Sequence, residues 1–138
     1  MAERNLVLAG GGHAHVEVLR QIALRPIPGW RVTLVTREFF SPYSGMLPGV
    51  AAGLYRPEQA LIDARALAAR AGATLVVDRV TGLDPDARLL RRADGAALPY
   101  DLLSIDTGAT PDTSRVPGAA EHAVPLKPID GLLARLDG

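Results

Sequence analysis

Three consecutive glycines, Gly10, Gly11 and Gly12, form the segment with the clearest chemistry, and His13-Ala14-His15 follows directly. Gly10 and Gly12 match the first two glycines of a dinucleotide-binding fingerprint, and His15 stands where the third glycine normally lies. The first glycine allows a tight turn. The second lets the backbone approach a pyrophosphate, to which the next helix offers free N–H groups. This glycine turn (residues 10–12) therefore predicts a phosphate site; the alternative is a ligand-free turn of an α/β protein.

The two histidines beside the glycine turn raise the question of a metal site. His13 and His15 lie two residues apart at a predicted helix start, so their side chains point in different directions. Two imidazoles also fall short of the ligand set that a zinc ion needs. We therefore predict no metal here, and expect His15 either to hydrogen-bond a cofactor or to make a local contact.

The end of the second predicted strand is the expected place for ribose recognition. In the fingerprint, an acidic residue about 20 positions past the glycines binds a ribose hydroxyl. Thr36 occupies that place here, and Arg37 and Glu38 follow it. Thr36 offers a weaker hydrogen bond, and Arg37 would meet a ribose phosphate or the adenine, or else is a solvated strand end. These residues do not decide which nucleotide binds.

An uncharged stretch between residues 39 and 55 is the second candidate. It holds four of the six aromatic side chains, namely Phe39, Phe40, Tyr43 and Tyr55, together with the glycine- and proline-rich run 42–49. Apolar backbone placed after a ribose-binding strand is suited to pack against a flat ring. The same composition also fits a subunit interface or a buried loop, and the residues leave both alternatives open.

Composition limits the class of protein in which these residues act. The chain has 138 residues with 15 basic and 15 acidic side chains, and a net charge of zero argues against a nucleic-acid module. At 48% hydrophobic residues, the chain is too apolar for a disordered segment. The absence of cysteine excludes disulfides, thiolate zinc sites and dithiol redox steps. No stretch approaches the roughly 18 apolar residues of a membrane span, and no signal peptide is recognisable, which predicts a cytoplasmic protein.

A βαβ unit is expected to position the glycine turn. The apolar run 5–9 predicts a buried strand, and apolar residues at 16, 19, 22 and 23 predict one face of a helix that stops at Pro26. Residues 31–36 predict a second strand, parallel to the first. Pro57 and Gly72 are expected to bound a second helix. Its inner face would carry Leu61, Ala64, Leu67, Ala68 and Ala71.

The rest of the chain predicts short strands and turns. Residues 74–77 are expected to form a third strand and residues 102–105 a buried strand, with an antiparallel meander at 80–83, 88–90 and 97–100 between them. The proline-rich segment 109–128 predicts a connector, and residues 129–136 predict a further helix. The fold class is therefore α/β, with a parallel sheet and an inserted antiparallel β-meander.

Several motifs, in order along nearly the whole chain, resemble those of one flavoprotein superfamily. They are Gly10-Gly11-Gly12-His13-Ala14-His15-Val16, Tyr43-Ser44-Gly45-Met46-Leu47-Pro48-Gly49, Ala52-Gly53-Leu54-Tyr55, Gly82-Leu83-Asp84-Pro85 and the strand Tyr100–Pro111 with its Asp106-Thr107-Gly108. They resemble the pyridine nucleotide–disulfide oxidoreductase superfamily. Within it, they look like the type II NADH dehydrogenase-like proteins, including the FAD-containing subunit sometimes fused to selenide, water dikinase.

The resemblance implies a Rossmann-like fold that binds FAD, and a second fold for NAD(P)H, which passes a hydride to the flavin. Protein groups would then position the cofactor, and none in this segment would be a catalytic acid or base. The pyrophosphate would lie at the glycine turn, the ribose by the second strand, the adenine beside Val80 and the flavin by the loop from Tyr43 to Leu47. The cofactor-binding residues implied are Gly10, Gly12, His13, Ala14, His15, Thr36, Arg37, Tyr43, Ser44, Gly45, Met46, Leu47, Val80, Thr107 and Gly108.

The chain also departs from the superfamily pattern. Thr36 replaces the usual acidic residue, and Asp106 replaces the alanine of the Ala-Thr-Gly motif. Without cysteine, the chain resembles the branch that sends electrons to a quinone or another acceptor. Since it stops before the second nucleotide fold, we expect residues 1–111 to be the N-terminal part of an incomplete, truncated FAD-binding domain. Residues 112–138 would be a connector towards a missing NAD(P)-binding domain.

This interpretation carries expectations about partners. The chain alone would be inactive, and its incomplete sheet would expose an apolar edge through which it self-associates. Its partners would be small-molecule cofactors rather than nucleic acid, and the full-length protein would contact a membrane only peripherally. The alternative function is a non-catalytic Rossmann-like domain that holds a nucleotide or regulates a partner.

Overall fold

Short strands and helices alternate along the chain in a computed structural model, which describes residues 3–109 and 112–123. In chain order, the elements are β1 (Arg4–Ala9), α1 (His13–Leu24), β2 (Trp30–Thr36), β3 (Phe40–Pro42), α2 (Leu47–Ala51), β4 (Leu61–Asp63), α3 (Ala64–Ala71), β5 (Thr74–Val77), β6 (Val80–Asp84), β7 (Leu89–Arg92), β8 (Ala97–Pro99), β9 (Leu102–Ile105) and α4 (Ala119–His122). Single 3-10 turns lie at Ser44–Met46, Pro57–Ala60 and Thr113–Arg115.

The described strands form a parallel sheet, an antiparallel sheet and a separate two-stranded sheet. The parallel sheet has the order β5-β2-β1-β9, and the antiparallel sheet has the order β6-β7-β8. β3 and β4 pair with each other as a two-stranded sheet. The predicted α/β fold with a parallel sheet and an antiparallel meander is therefore confirmed, with the meander forming a sheet of its own.

The two faces of β1 are both buried, because successive side chains of a strand point to opposite sides. Leu6 and Leu8 pack in a cluster with residues of α1, β2 and α3, among them Leu19. Val7 and Ala9 pack on the other side with Val35 and with Leu90 of the meander. Helices thus cover one face of the sheet and the meander covers the other. Burying each of the large aliphatic side chains contributes about 1.5–3 kcal/mol.

The second predicted helix is wrong in its first half. Residues from Pro57 form a 3-10 turn and β4, and α3 begins only at Ala64. The reason is a local cap: Asp63 Oδ1 accepts hydrogen bonds from the N–H groups of Arg65 (2.9 Å) and Ala66 (3.3 Å). This N-cap starts the helix at a position that the proline did not indicate. The predicted end is confirmed, because Gly72 adopts a left-handed conformation with φ 63°.

The strand predicted at 102–105 is confirmed, but the prediction that it is buried is wrong. β9 is an edge strand of the described sheet, hydrogen-bonded to β1, and Leu102 and Ile105 are 53% and 60% exposed. A short apolar run is compatible with burial on both faces, but its sequence does not say whether a neighbouring strand covers it.

The described residues separate into two compact units. The first comprises the chain up to Ser41 together with Ile62–Thr107, and the second comprises Pro42–Leu61 and the residues described after Thr107. The first unit contains the parallel sheet, α1, α3 and the meander. The predicted helix at 129–136 and the part of the predicted connector after residue 123 lie outside the described residues, and the boundary at residue 111 stays a prediction.

Candidate functional site

The glycine turn lies at the point where the strand order of the parallel sheet reverses. From β1 the chain passes through α1 to β2 on one side, whereas β9, much later in the sequence, pairs on the other side of β1. The carboxyl ends of β1 and β9 therefore flank a topological switch point, the position at which open parallel sheets place their ligands. Gly10 leaves β1 here, and Asp106 leaves β9.

The glycine turn is packed so closely that larger residues would not fit. Gly10 adopts φ 105°, a conformation that favours glycine, and its N–H donates to the carbonyl of Val35 at 2.7 Å. A Cβ atom on Gly10 would overlap the backbone carbonyl of Asp106, and one on Gly12 would overlap the Asp106 carboxylate. The absence of side chains is thus required by the close approach of the loop after β9.

Asp106 fastens the end of β9 to the start of α1. Its backbone carbonyl accepts the N–H of Gly12 at 3.2 Å, and its Oδ2 accepts the N–H groups of Ala14 at 3.0 Å and His15 at 3.4 Å. The N-cap residue of α1 is Gly12, which has no side chain to offer, so the carboxylate from β9 caps the helix instead. A negative charge at this helix end is also favoured by the helix dipole.

His15 is buried directly beneath the glycine turn, with 1% of its surface exposed. Its Nδ1 lies 2.7 Å from the carbonyl oxygen of Gly10, and its Nε2 lies 2.8 Å from Ser104 Oγ. A carbonyl only accepts, so Nδ1 carries a hydrogen and donates it to Gly10, and Nε2 is hydrogen-bonded to the Ser104 hydroxyl. The ring therefore makes a local contact, which is one of the two roles expected for His15 from the sequence. A hydrogen bond from His15 to a cofactor stays a prediction.

The predicted ribose residues lie at the end of β2. Thr36 is 8% exposed, and its Oγ1 faces Gly11, where a Cβ would approach it to 2.7 Å. Arg37, the next residue, is exposed. The hydroxyl of Ser41 donates to the carbonyl of Gly11 at 2.9 Å and so adds a third element to the turn.

The first unit thus brings most of the predicted residues to one edge of the sheet. Eight of them lie on or next to the carboxyl ends of β1, β2 and β9, namely Gly10, Gly12, His13, Ala14, His15, Thr36, Arg37 and Thr107. Val80 is half-buried and packs in the cluster beneath the meander.

The exposed face of α1 carries an ion pair between Glu17 and Arg20. The side-chain hydrogen bond from Arg20, with a further one from Gln21, lowers the pKa of Glu17 to about 2. Arg20 Nε lies 2.7 Å from Glu17 Oε2, and both side chains are about half exposed. This carboxylate remains charged over the whole physiological range, but its charge is matched by its own partner on the helix.

The other predicted residues belong to the second unit and are described by themselves. Tyr43 donates its N–H to Ala60 at 2.7 Å and accepts the N–H of Met46 at 3.0 Å, which closes the 3-10 turn Ser44–Met46. The Tyr43 ring lies against Gly45, and Leu47 is 7% exposed. Gly108 adopts φ 78°. Contact of these residues with a flavin stays a prediction.

Three polar residues of the site were not among the predicted ones. Ser41 contacts the glycine turn, and Ser104 and Asp106 contact the first residues of α1, from segments 30 to 92 positions away in the sequence. Asp106 did carry a signal, because it interrupts the Ala-Thr-Gly pattern. Nothing in the sequence near Ser41 or Ser104 distinguishes either residue from an ordinary surface serine.

In the part of the chain that the structure describes, no helix has the length and apolar character needed to cross a membrane.

Comparison with known proteins places this geometry in context. No family model matches the sequence. One curated relative, the epsilon subunit of the NADH-dependent phenylglyoxylate dehydrogenase of Aromatoleum evansii, is 32% identical over 114 residues, which is 81% of this chain and 27% of that subunit. The NAD-dependent persulfide reductase of A. fulgidus matches 96% of this chain with a TM-score of 0.79 and 20% identity, and the match covers 27% of the reductase. NDH2 from Plasmodium falciparum, solved in complex with NADH, matches with a TM-score of 0.74 and 17% identity over 96% of this chain and 28% of its own.

The solved structures are members of the pyridine nucleotide–disulfide oxidoreductase superfamily. This chain shares the fold of the two solved structures named above. It spans about a quarter of the length of the relatives named above.

Proposed function

We propose that the chain is the FAD-binding part of an NAD(P)H-dependent flavoprotein oxidoreductase of the type II NADH dehydrogenase-like kind. In the whole protein, a hydride would pass from NAD(P)H to FAD, and the electrons would pass on to a quinone or another acceptor. The chain alone, without a second nucleotide fold, would not turn over NAD(P)H. The protein would work in the cytoplasm, and any contact of the full-length form with a membrane would be peripheral.

One observation carries this proposal, namely a glycine turn at the switch point between β1 and β9. Gly10 and Gly12 leave no room for a Cβ, and α1 begins immediately behind them. In parallel sheets, that combination of a close backbone, a helix N-terminus and diverging strands is suited to a pyrophosphate. The names of the relatives agree with a redox role, since the subunit and the reductase are described as NADH- and NAD-dependent.

The residues present fit the pyrophosphate and the ribose of a dinucleotide such as FAD. Backbone at Gly10 to Ala14 would face the pyrophosphate, and Thr36 and Arg37 would face the ribose, because they end the strand next to β1. FAD supplies the hydride and electron chemistry when bound, and the protein groups hold and orient it. Tyr43 to Leu47 and Gly108 enter the proposal from the resemblance alone.

An absorbance spectrum of the purified protein, expressed from its whole reading frame, tests this function. We expect flavin bands near about 370 and 450 nm, and loss of the longer-wavelength band when NADH is added without oxygen. A colourless protein that releases an adenine nucleotide on heating would replace the proposal with the non-catalytic nucleotide-binding alternative. A reading frame without a second glycine fingerprint would exclude hydride transfer from NAD(P)H within one polypeptide.

A further inference from the structure

The start of α1 already holds an anion that belongs to the chain itself. Asp106 Oδ2 accepts the N–H groups of Ala14 and His15, and the carboxylate lies against Gly12 at the position that a Cβ would occupy. These amides belong to the first turn of the helix, which is the part that a dinucleotide pyrophosphate approaches. Part of the positive end of the helix is therefore engaged before any ligand arrives.

Within residues 3–109 and 112–123, the ion pairs involve other acidic residues, and none joins an arginine or lysine to Asp106. Asp106 is half-buried, so water screens its charge less than that of an exposed residue. A phosphate at Gly12 would thus meet a fixed negative charge at short range.

We propose that Asp106 is an affinity-setting residue, an internal anion that competes with the pyrophosphate and keeps FAD binding reversible. This inference rests on the proposed function, because it concerns the same glycine turn. Where the superfamily pattern has alanine, the start of the helix would be open to the phosphate; here the ligand has to share it with a carboxylate. FAD would accordingly behave as an exchangeable ligand of this protein rather than as a permanently held group.

Asp106→Asn isolates the charge from the geometry. The amide oxygen of asparagine can accept the same N–H groups, and asparagine is as good a helix cap as aspartate. A matched control lies at the other end of the same strand: Asp101 Oδ2 accepts the N–H of Asn5 at 2.7 Å, just before β9. Asp101→Asn removes one charge and preserves one hydrogen bond from a backbone N–H group, but it does so away from the glycine turn.

The experiment measures FAD affinity by quenching of flavin fluorescence for the wild type, Asp106→Asn and Asp101→Asn, in the protein expressed from its whole reading frame and stripped of flavin. We expect Asp106→Asn to bind FAD roughly tenfold or more tightly at low salt, and Asp101→Asn to match the wild type. The advantage of Asp106→Asn should shrink only in part as salt rises, because the screening length falls from about 30 Å at 0.01 M to about 3 Å at 1 M but a partly buried pair of charges is screened less than an exposed one. A purely structural effect of the substitution would not follow ionic strength in this way.

Two results would overturn the inference. One leaves the proposed function intact, and the other contradicts the proposed function as well. If the wild type and Asp101→Asn bind FAD and a folded Asp106→Asn binds it equally or more weakly, Asp106 does not compete with the phosphate and the proposed function stands. If none of the three folded proteins binds FAD, the proposed function fails and the inference fails with it. A melting curve for each variant establishes which proteins are folded.

Discussion

His15 Nε2 lies 2.8 Å from Ser104 Oγ, so a buried imidazole at the start of α1 is hydrogen-bonded to the edge strand β9. The other ring nitrogen is bonded to the backbone carbonyl of Gly10. One side chain thus joins the helix, the glycine turn and two neighbouring strands. This arrangement explains how the fold accommodates a histidine where the fingerprint has its third glycine: the ring points inward and replaces close helix packing with two hydrogen bonds.

Removing this ring is expected to destabilise the first unit strongly. His15→Ala would leave a cavity and an unpaired carbonyl at Gly10, at a cost of about 3 kcal/mol in the free energy of unfolding. Ser104→Ala removes one hydrogen bond and should cost about 1 kcal/mol. Urea unfolding followed by circular dichroism measures both. The control is His122→Ala, since His122 is 81% exposed; a loss of stability in His15→Ala no larger than in this control would contradict the assigned role.

Gly12→Ala is expected to weaken FAD binding by about tenfold and to lower the melting temperature, because its Cβ would overlap the Asp106 carboxylate and displace the turn. Gly82→Ala is the matched control, as its Cβ would lie an ordinary 3.5 Å from Arg91 Cδ. Flavin titration and thermal melting of both variants provide the comparison. Equal flavin affinity in the two alanine variants would argue against the glycine turn as the binding site.

The cap at Asp63 predicts a pH-dependent contribution to stability. Partial burial acts to raise the pKa of this carboxyl, but the N–H groups of Ala66 and Arg65, with the Arg65 guanidinium, hold the pKa below its usual value. A folded-state pKa below the unfolded value of about 3.9 stabilises the fold above that pH, and this stabilisation is lost as the pH falls through the folded pKa.

Asp63→Ala should therefore melt at a lower temperature than the wild type at pH 7, and the difference should narrow in acid below about pH 4. Melting curves across this pH range measure the effect. Asp86→Ala, at an exposed turn between β6 and β7, is the control that should melt like the wild type at each pH. A gap between Asp63→Ala and the wild type that persists unchanged in strong acid would show that the ionised cap is not its source.

Self-association of the 138-residue chain is expected through the edge strand β9. Among the described strands β9 pairs with β1 alone, and such an edge, with the exposed side chains of Leu102 and Ile105, is the kind that recruits another strand. Light scattering after gel filtration should show a dimer or larger species. Ile105→Lys should shift it towards monomer, whereas Leu24→Lys, at a helix end that is 64% exposed, should not. A wild type that is monomeric at every concentration would refute this expectation.

Much of the fold follows from local sequence signals. The run before Gly10, the helical spacing after it and the β-branched run ending at Thr36 are signals carried within a few residues, and the structure has β1, α1 and β2 there. The helix expected from Pro57 failed because two start signals compete, and Asp63 supplies the stronger one by capping directly. Burial of β9 was unpredictable from its own residues, because it depends on which strand lies beside it.

The site was predictable only in part, for a similar reason. The glycine turn can be predicted from the spacing of its glycines, but the side chains that contact it and the start of α1 lie far away in the sequence. Ser104 and Asp106 act through parallel pairing of β9 with β1, which aligns Leu8 with Ser104 and Ala9 with Ile105. Until the strand order is known, nothing connects an aspartate at the end of one strand with the start of a helix after another.

Ala14 and Asp106 are 92 residues apart in the sequence, so the ribosome synthesises Ala14 well before the carboxylate that accepts its N–H. α1 emerges early with only Gly12 at its N-cap, which offers no side chain for its first amides. A nascent chain that has been translated as far as the meander still carries this unfinished helix start. The turn takes its final shape once β9 joins β1, so the proposed cofactor site is completed only after Asp106 has been synthesised.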